Sequence, residues 1–479
     1  MSTGLEISSD QARAPRAHRH SADAFWLAAL ALGLRILVVI WARNRFPPAD
    51  DGSFYHVVAT RIAEGKGYTW LWPDGVVTYA AHYPVGYPAL LGAVYAVFGA
   101  RPVAAMALNA FIGALSVFAA QRIAIRRSSR ALALIAGLLV ALHPGFVFYT
   151  PALMTEGVAA ELLLVALWLT LRAAELPSSA FRVALLASAL GALTLIRPQL
   201  LVLAPFFGFF SLSAMRTRYL ERGVRAALVT FIALSCCLPW TIRNCKRMDQ
   251  CVFVSANGGW NLLIGALPDA DGAWKAIEGA DVPPECRNVF GEADKDRCFG
   301  RAGFRKILAE PRQFLALIPR KLSVTFDYFG APGHYLHSSN YREFDEARKT
   351  ALGVAETVWE RLVLLAAIWQ AALRGQKARA SRFVVGLVAS LFALSRAGWL
   401  GYLGLVVATF LAGRELVQRP VAALTASLVL ATALTHALFF GAGRYGFVCA
   451  ALLCVAAIGE RQQSTGEMLG RERRPSTAG

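Results

Sequence analysis

Two adjacent carboxylates, Asp50 and Asp51, stand near the start of PPADDGSFYHVVATRIAEGKGY, residues 47–68. Asp at a helix start is a common N-cap, because its oxygens accept first-turn backbone N–H groups. The other role open to one of the pair is that of a general base, withdrawing a proton from a hydroxyl held within reach. Tyr55, Val58, Ile62 and Ala63 then fall near one face of a short amphipathic helix that Gly65 and Gly67 close. In TYAAHYPVGYPALL, residues 78–91, His82 and Tyr83 precede an apolar run; the histidine reads equally as a solvated loop residue or a ligand contact. In HPGFVFYTPALMTEGVAAELL, residues 143–163, Glu156 lies at the end of an apolar run and Glu161 one to two turns deeper. Carboxylates inside apolar helices are costly and mark functional or paired positions. Glu156, nearer the surface, is the better catalytic candidate, and Glu161 is expected to pair with an arginine such as Arg35. Arg197 in LIRPQLL, Arg243 in LPWTIRN and Arg444 in FFGAGRYGFV likewise sit at ends of apolar runs. Each can snorkel to a membrane surface; gathered together, their planar forks suit a phosphate.

The elements that must position these residues are membrane helices. The 479 residues are 56% hydrophobic and 17% charged, with a mean hydropathy of +0.47. A soluble domain carries roughly 25% charged residues, and disordered chains are far less apolar. The first run, 24–42, lacks a small-x-small cleavage site followed by a soluble chain, so it is read as a retained span and not a signal peptide. Further runs lie at 85–121, 131–149, 153–171, 183–196, 199–215, 226–241, 354–373, 383–395, 399–413, 421–440 and 446–459, giving about twelve crossings. The run 85–121 is divided by Gly99-Ala100-Arg101-Pro102, so one half can be a short interfacial or re-entrant helix.

Every second connection is basic, which places those loops in the cytoplasm. Residues 1–23, 122–130, 172–182, 216–225, 374–382, 414–419 and 460–479 hold 23 Lys or Arg against 9 Asp or Glu. Most of the net charge of +18 is thereby an orientation signal and not a nucleic-acid surface. The opposite face receives two long segments, 43–82 and 244–352. Uninterrupted loops of that length are uncommon unless functional; the second, with helix-like stretches at 301–308 and 311–322, is read as a small mixed extracytoplasmic domain. Asp51, Glu156, Arg197, Arg243 and Arg444 all fall on this face.

Cys236, Cys237, Cys449 and Cys454 lie in or beside apolar runs and read as small buried hydrophobes. Cys245, Cys251, Cys286 and Cys298 fall on the outer side, where an even number suits disulfides. Three connectivities are open, and Cys245 with Cys251, Cys286 with Cys298 is the simplest by proximity. No CxxC pair or zinc-like spacing occurs, so no structural metal is expected.

The order PPADDGSFY, HYPVGYPALL, P-x10-TEG (Pro144 to Gly157), LIRP, LPWTIRN with NGGWNLLIGALPDADGAW (257–274), and H-x7-RY (His436 to Tyr445) resembles the GT-C membrane glycosyltransferases. The nearest branch is the bacterial one related to protein O-mannosyltransferases and lipid A aminoarabinose transferases. The resemblance runs from the first span to Tyr445. It implies transfer of a sugar from a polyprenyl phosphate with inversion at the anomeric carbon, with Asp51 and Tyr55 matching the family's first-loop Asp and Tyr and Glu156 its later acidic residue. The sequence departs from the family in having His82-Tyr83-Pro84-Val85-Gly86 where members often carry Lys or Arg with Pro-Pro-Gly, and Phe54 where some carry Arg.

The expected molecule is an all-α polytopic membrane protein of GT-C type with about twelve transmembrane helices. Its parts are a cytoplasmic tail (1–23), an N-terminal bundle (24–243) with its catalytic first loop (43–82), an extracytoplasmic domain (244–352), C-terminal helices (353–460) and a cytoplasmic tail (461–479). Asp51 is the expected base, with Asp50 beside it and Glu156 orienting the sugar or acceptor or stabilising an oxocarbenium-like centre. Tyr55, His82, Tyr83, Arg197, Arg243, Asn257, Arg444 and Tyr445 are the expected substrate contacts. The donor is a polyprenyl-phosphate sugar; the acceptor is a glycan, lipid A or a protein hydroxyl; the site faces outward from the inner membrane. No cofactor is called for, and a divalent metal is left open. The rival readings are a flippase of lipid-linked sugars and an O-antigen polymerase or ligase. A transporter favours paired repeats with broken helices, and the sequence has no clear two-halves symmetry.

Overall fold

A computed structural model describes residues 14–215, 217–267, 270–374 and 377–460, with side chains from residue 21 onward. The basic residues Arg13, Arg216, Arg461, Arg471, Arg473 and Arg474, the C-terminal tail, and Pro268 and Asp269 of the 257–274 motif lie outside the described residues, as do the side chains of Arg16 and Arg19.

Helices dominate the chain. Five are long and apolar enough to cross a membrane: Ser21–Ala42, Pro102–Arg127, Thr155–Glu175, Tyr219–Arg247 and Pro420–Leu438. Six more apolar helices are shorter, so length and apolarity together account for five of the expected crossings. For one of the expected spans the cause is local. The run at 131–149 divides into Arg130–Ala141 and Pro144–Tyr149, because Pro144 lacks the N–H that would continue the first helix. The run at 85–121 breaks at Gly99, where φ is +84° and the left-handed backbone suits glycine.

The bundle core is mostly Ala, Leu, Val and Phe. Within it Arg35 on the first helix reaches Glu161 on Thr155–Glu175, with Nη2 to Oε1 at 3.1 Å and both side chains buried, as the sequence led one to expect. Gly113 makes the approach possible: a Cβ there would collide with the Arg35 guanidinium.

The first outer segment folds as the helix Asp51–Ala63 followed by a hairpin of Thr69–Leu71 and Val77–Tyr79, in antiparallel register with Trp70 opposite Thr78. Trp, Val, Thr and Tyr favour strands, and Pro73-Asp74-Gly75 supplies the turn, with Gly75 at φ +86° and Asp74 Oδ1 accepting Val76 N–H at 3.0 Å. Tyr55, Val58 and Ala59 face inward on the helix.

The second outer segment differs from the mixed domain expected at 244–352. The helix Tyr219–Arg247 continues past residue 243, and among the described residues the segment contains helices but no strand pair. Its own small core gathers Leu263, Leu267, Phe299 and Ala302 around the Cys286–Cys298 disulfide. Cys245 pairs with Cys251, so the proximity pairing holds for both. Pro311–Phe326 and Ala331–Ser339 leave that core: Leu322, Phe326, Tyr335 and Leu336 join the bundle instead.

Candidate functional site

A cavity of about 1790 Å³ opens between the first outer segment, the small outer core and the ends of several bundle helices. Asp51 is the first residue of Asp51–Ala63. Its Oδ1 accepts the Tyr83 hydroxyl at 2.7 Å and its Oδ2 accepts Arg444 Nη1 at 2.8 Å. Burial alone raises the Asp51 carboxyl, but the Arg444 guanidinium, the two hydrogen bonds and nearby His82 outweigh it and hold the group below its usual range.

Asp50 is brought to the cavity rim but does not cap the helix. It lies at φ +50°, and its side chain makes no cap bond. The strained backbone turns the carboxylate across to Ala331–Ser339, where Ser338 Oγ donates at 3.1 Å and His334 Nε2 lies 3.7 Å away. The N-cap role open to one Asp of the pair is therefore not taken by Asp50.

Glu156 follows Thr155 at the N-terminus of Thr155–Glu175 and is buried. Its Oε1 meets Arg197 Nη1 at 3.0 Å and Arg444 Nε at 3.7 Å, while its Oε2 is buried with no hydrogen-bond partner among the described residues. Arg197 ends Ala180–Ile196, where Pro198 prevents the helix from continuing. It also donates to Thr155 Oγ1 at 3.0 Å.

Arg444 comes from the turn after Pro420–Leu438. Gly441 and Gly443 allow that turn to lie against Pro311–Phe326 and Tyr328, two residues beyond it, since a Cβ on either would strike the backbone of Lys321 or Tyr328. Beyond Asp51, Arg444 donates to the Tyr335 hydroxyl at 2.9 Å and the Tyr445 hydroxyl at 3.0 Å. The Tyr445 ring stacks on His436 with centroids 4.2 Å apart and lies 5.4 Å from the Arg197 guanidinium.

Tyr55 packs its ring edge-on against Tyr83, at 5.3 Å, behind Asp51. Burial first, and then Asp51, hold its phenol far above the usual value, so it serves as a neutral wall. His82 lines the cavity between Tyr83 and Trp260. Burial lowers its pKa more than Asp51 raises it, which favours the neutral imidazole. The His82 backbone N–H and that of Ala81 both donate to Glu292, at 2.8 and 2.7 Å, tying the first loop to the small outer core. Asn257 lines the cavity and accepts Ser255 Oγ at 3.1 Å.

Arg243 is the exception among the expected contacts. Its guanidinium donates to the backbone carbonyls of Ala80, at 2.8 Å, and Tyr68, at 2.6 Å, and stacks near Trp240 and Tyr79. It braces the hairpin from behind and is absent from the cavity wall; the phosphate contact expected of it is corrected to a structural one. Two of the three outward arginines meet, and the third does not. Tyr335, Thr155 and Glu292 were not anticipated. Tyr335 sits in GHYLHSS, where nothing in the local pattern distinguishes it from an ordinary surface aromatic.

The fold and charges define a membrane-embedded class of protein with a deep polar site at one end of an apolar bundle. Residues 82–242, about a third of the chain, match the model of the dolichyl-phosphate-mannose-protein mannosyltransferase family. The GT-C likeness read from the motifs is shown over this segment, which contains Tyr83, Glu156 and Arg197. No curated protein matches the sequence. Among solved structures, the Archaeoglobus fulgidus oligosaccharyltransferase in its apo form is similar at 13% identity and a TM-score of 0.47, over 92% of this chain and 50% of that one. The oligosaccharyltransferase AglB from Archaeoglobus fulgidus, in complex with an inhibitory peptide and a dolichol-phosphate, gives 16% identity and a TM-score of 0.44, over 92% and 50%. ArnT from Cupriavidus metallidurans bound to undecaprenyl phosphate gives 14% and 0.39, over 91% and 77%. The chain thus spans about half the length of the archaeal enzyme. At these identities and scores none of the likenesses assigns a site or a reaction.

Proposed function

We propose that the protein is an inverting glycosyltransferase that moves a sugar from a polyprenyl-phosphate donor to a hydroxyl acceptor at the outer face of the inner membrane. The observation that carries this reading is the Asp51 carboxylate held at the cavity between Tyr83 and Arg444, beside the Arg197–Glu156 pair. With the basic loops cytoplasmic, the cavity opens outward, and the shorter apolar helices complete about twelve crossings.

In the reaction the acceptor O–H gives its proton to Asp51 as its oxygen attacks the anomeric carbon. The bond from that carbon to the phosphate oxygen breaks on the opposite face, and the polyprenyl phosphate departs with the bonding pair. A phosphate leaves readily, so cationic stabilisation matters more than a strong acid. Arg197 and Arg444 supply it. Glu156, with one oxygen unpartnered, accepts sugar hydroxyls or faces the positive charge that develops on the ring.

The resting arrangement explains how an acidic carboxylate becomes a useful base. Asp51 is a weak base while Arg444 holds it. An arriving phosphate competes for the same guanidinium, and loss of that cation raises the affinity of Asp51 for a proton. Donor binding thereby prepares the base.

The test is turnover of a short-chain prenyl-phosphate sugar by purified protein. Product formation that Asp51→Asn abolishes supports the reading. Movement of the lipid-linked sugar by wild-type protein with no glycosidic product favours a flippase and sinks it.

A further inference from the structure

The cavity extends well beyond its charged end. Small-molecule sites occupy roughly 300–1,000 Å³, whereas this one reaches about 1790 Å³. Part of its wall is made of exposed rings from the outer segments. Trp72 comes from the hairpin, Phe253 from the loop after Tyr219–Arg247, and Trp274 and Phe290 from the small outer core segment. These side chains are exposed: Trp72 by 49%, Trp274 by 60% and Phe290 by 88%. Large apolar groups left open around one cavity are a mark of a binding surface.

The segments that carry the rings are tied down. Trp72 Nε1 donates to Thr78 Oγ1 at 2.9 Å, leaving the indole faces open. Trp274 follows Ala273, which forms a parallel bridge to Gly441, and Gly441 N–H donates to Gly272 at 2.8 Å. Phe290 lies within the loop closed by Cys286 and Cys298. The carboxylates of Asp249, Glu278 and Asp294 line the same cavity, none with an ion-pair or hydrogen-bond partner for its side chain among the described residues, and the cations Arg247, Lys275 and Lys295 line it too. On the same wall the Trp260 indole N–H is buried without an acceptor.

Open rings and unpaired carboxylates lining one cavity match one acceptor chemistry. A pyranose presents an apolar face of C–H groups that stacks on an aromatic ring, and a girdle of hydroxyls that donate to carboxylates. A peptide bound by strand addition needs a longer sheet edge, and the strands here are three residues long. We propose that the ring-lined wall of the cavity is an acceptor subsite for a carbohydrate chain of two or more pyranose units. The proposal rests on the glycosyl-transfer reading and names the acceptor class that reading leaves open.

The experiment is titration calorimetry of the purified full chain with cellotriose, mannotriose, maltotriose and chitotriose, and separately with a serine- and threonine-rich peptide. At least one trisaccharide is expected to bind, with affinity falling tenfold or more in Trp274→Ala and in Phe290→Ala. The second variant removes a side chain that is 88% exposed, so its folding is not at issue. Binding of the peptide alone, of no trisaccharide, or equally to wild type and both variants overturns the proposal. Prenyl-phosphate-sugar turnover is measured in parallel. Turnover without trisaccharide binding removes the subsite and leaves the transferase standing; absence of turnover alongside ring-dependent trisaccharide binding removes the transferase reading alone.

Discussion

Arg444 and Asp51, 393 positions apart in the chain, meet at 2.8 Å across the cavity. The same guanidinium lies 3.7 Å from Glu156, which Arg197 holds at 3.0 Å. Two cations and two carboxylates thus form one connected set, assembled from four separate parts of the chain. Any anion that enters must exchange with a carboxylate already present, which couples donor capture to the state of the base.

Arg444→Ala is expected to lower kcat/KM by roughly 100- to 1,000-fold, the scale seen when one stabilising donor is removed from a reacting oxyanion. Arg444→Lys should recover only a small part. Arginine's planar fork reaches Asp51, Tyr335 and Tyr445 together, a geometry that a single ammonium cannot reproduce. Steady-state kinetics on a prenyl-phosphate sugar checks both; full activity in the lysine variant refutes the fork argument.

The pH dependence follows from Asp51. Its folded pKa lies below 3.8 because Arg444, Tyr83 and His82 together exceed the effect of burial. A depressed carboxylate adds stability that is present above its unfolded value and disappears as pH falls through the folded one. Unliganded protein should therefore keep this contribution down to about pH 4 and lose it below. Tyr83→Phe removes one hydrogen bond from the carboxylate, so the acid limb should move to higher pH. Thermal unfolding of both proteins from pH 3 to pH 6 measures the shift, and superimposable curves would count against it.

Much of this site was legible because its residues violate the rules that govern the rest of the sequence. Glu156, Arg197 and Arg444 are charges at the ends of apolar runs, and Asp51 begins an outer helix. Arg243 carries the same local signature as Arg197 and has a different fate, because its partners are the carbonyls of Ala80 and Tyr68. Backbone carbonyls exist at every residue, so no sequence pattern announces such a brace. Tyr335 was hidden for a related reason: its place beside Arg444 depends on how Ala331–Ser339 packs on the bundle. The helical class was plain from apolarity, and the Arg35–Glu161 pair from two charges buried in apolar runs. Helix limits were less visible, since apolar composition continues across Pro144 and Gly99 while the backbone does not.

Arg243→Ala should act on stability before chemistry. It leaves two main-chain carbonyls of the first loop without their charged donor, at a cost of about 2–3 kcal/mol. The expected outcome is a lower Tm with little change in affinity for polyprenyl phosphate at temperatures where the variant stays folded. Arg197→Ala should do the reverse in part, weakening phosphate affinity through loss of a cation at the cavity. If Arg243→Ala abolished lipid-phosphate binding without lowering Tm, the brace assignment would fail.

The buried pair in the bundle gives a different test. Arg35 and Glu161 are both buried and 3.1 Å apart, so removing one partner strands the other charge among apolar side chains. Glu161→Leu is expected to destabilise the protein by about 3–5 kcal/mol, whereas replacing both partners with apolar residues should cost far less. The site itself draws on Glu156, one and a half turns closer to the helix start, and takes no contact from Glu161. The double variant should therefore keep its transfer activity once it folds. Denaturation midpoints for the two single variants and the double one, read together with turnover, separate a structural ion pair from a catalytic one: non-additive stability with retained turnover fits the first, and loss of turnover in a stably folded double variant requires the second.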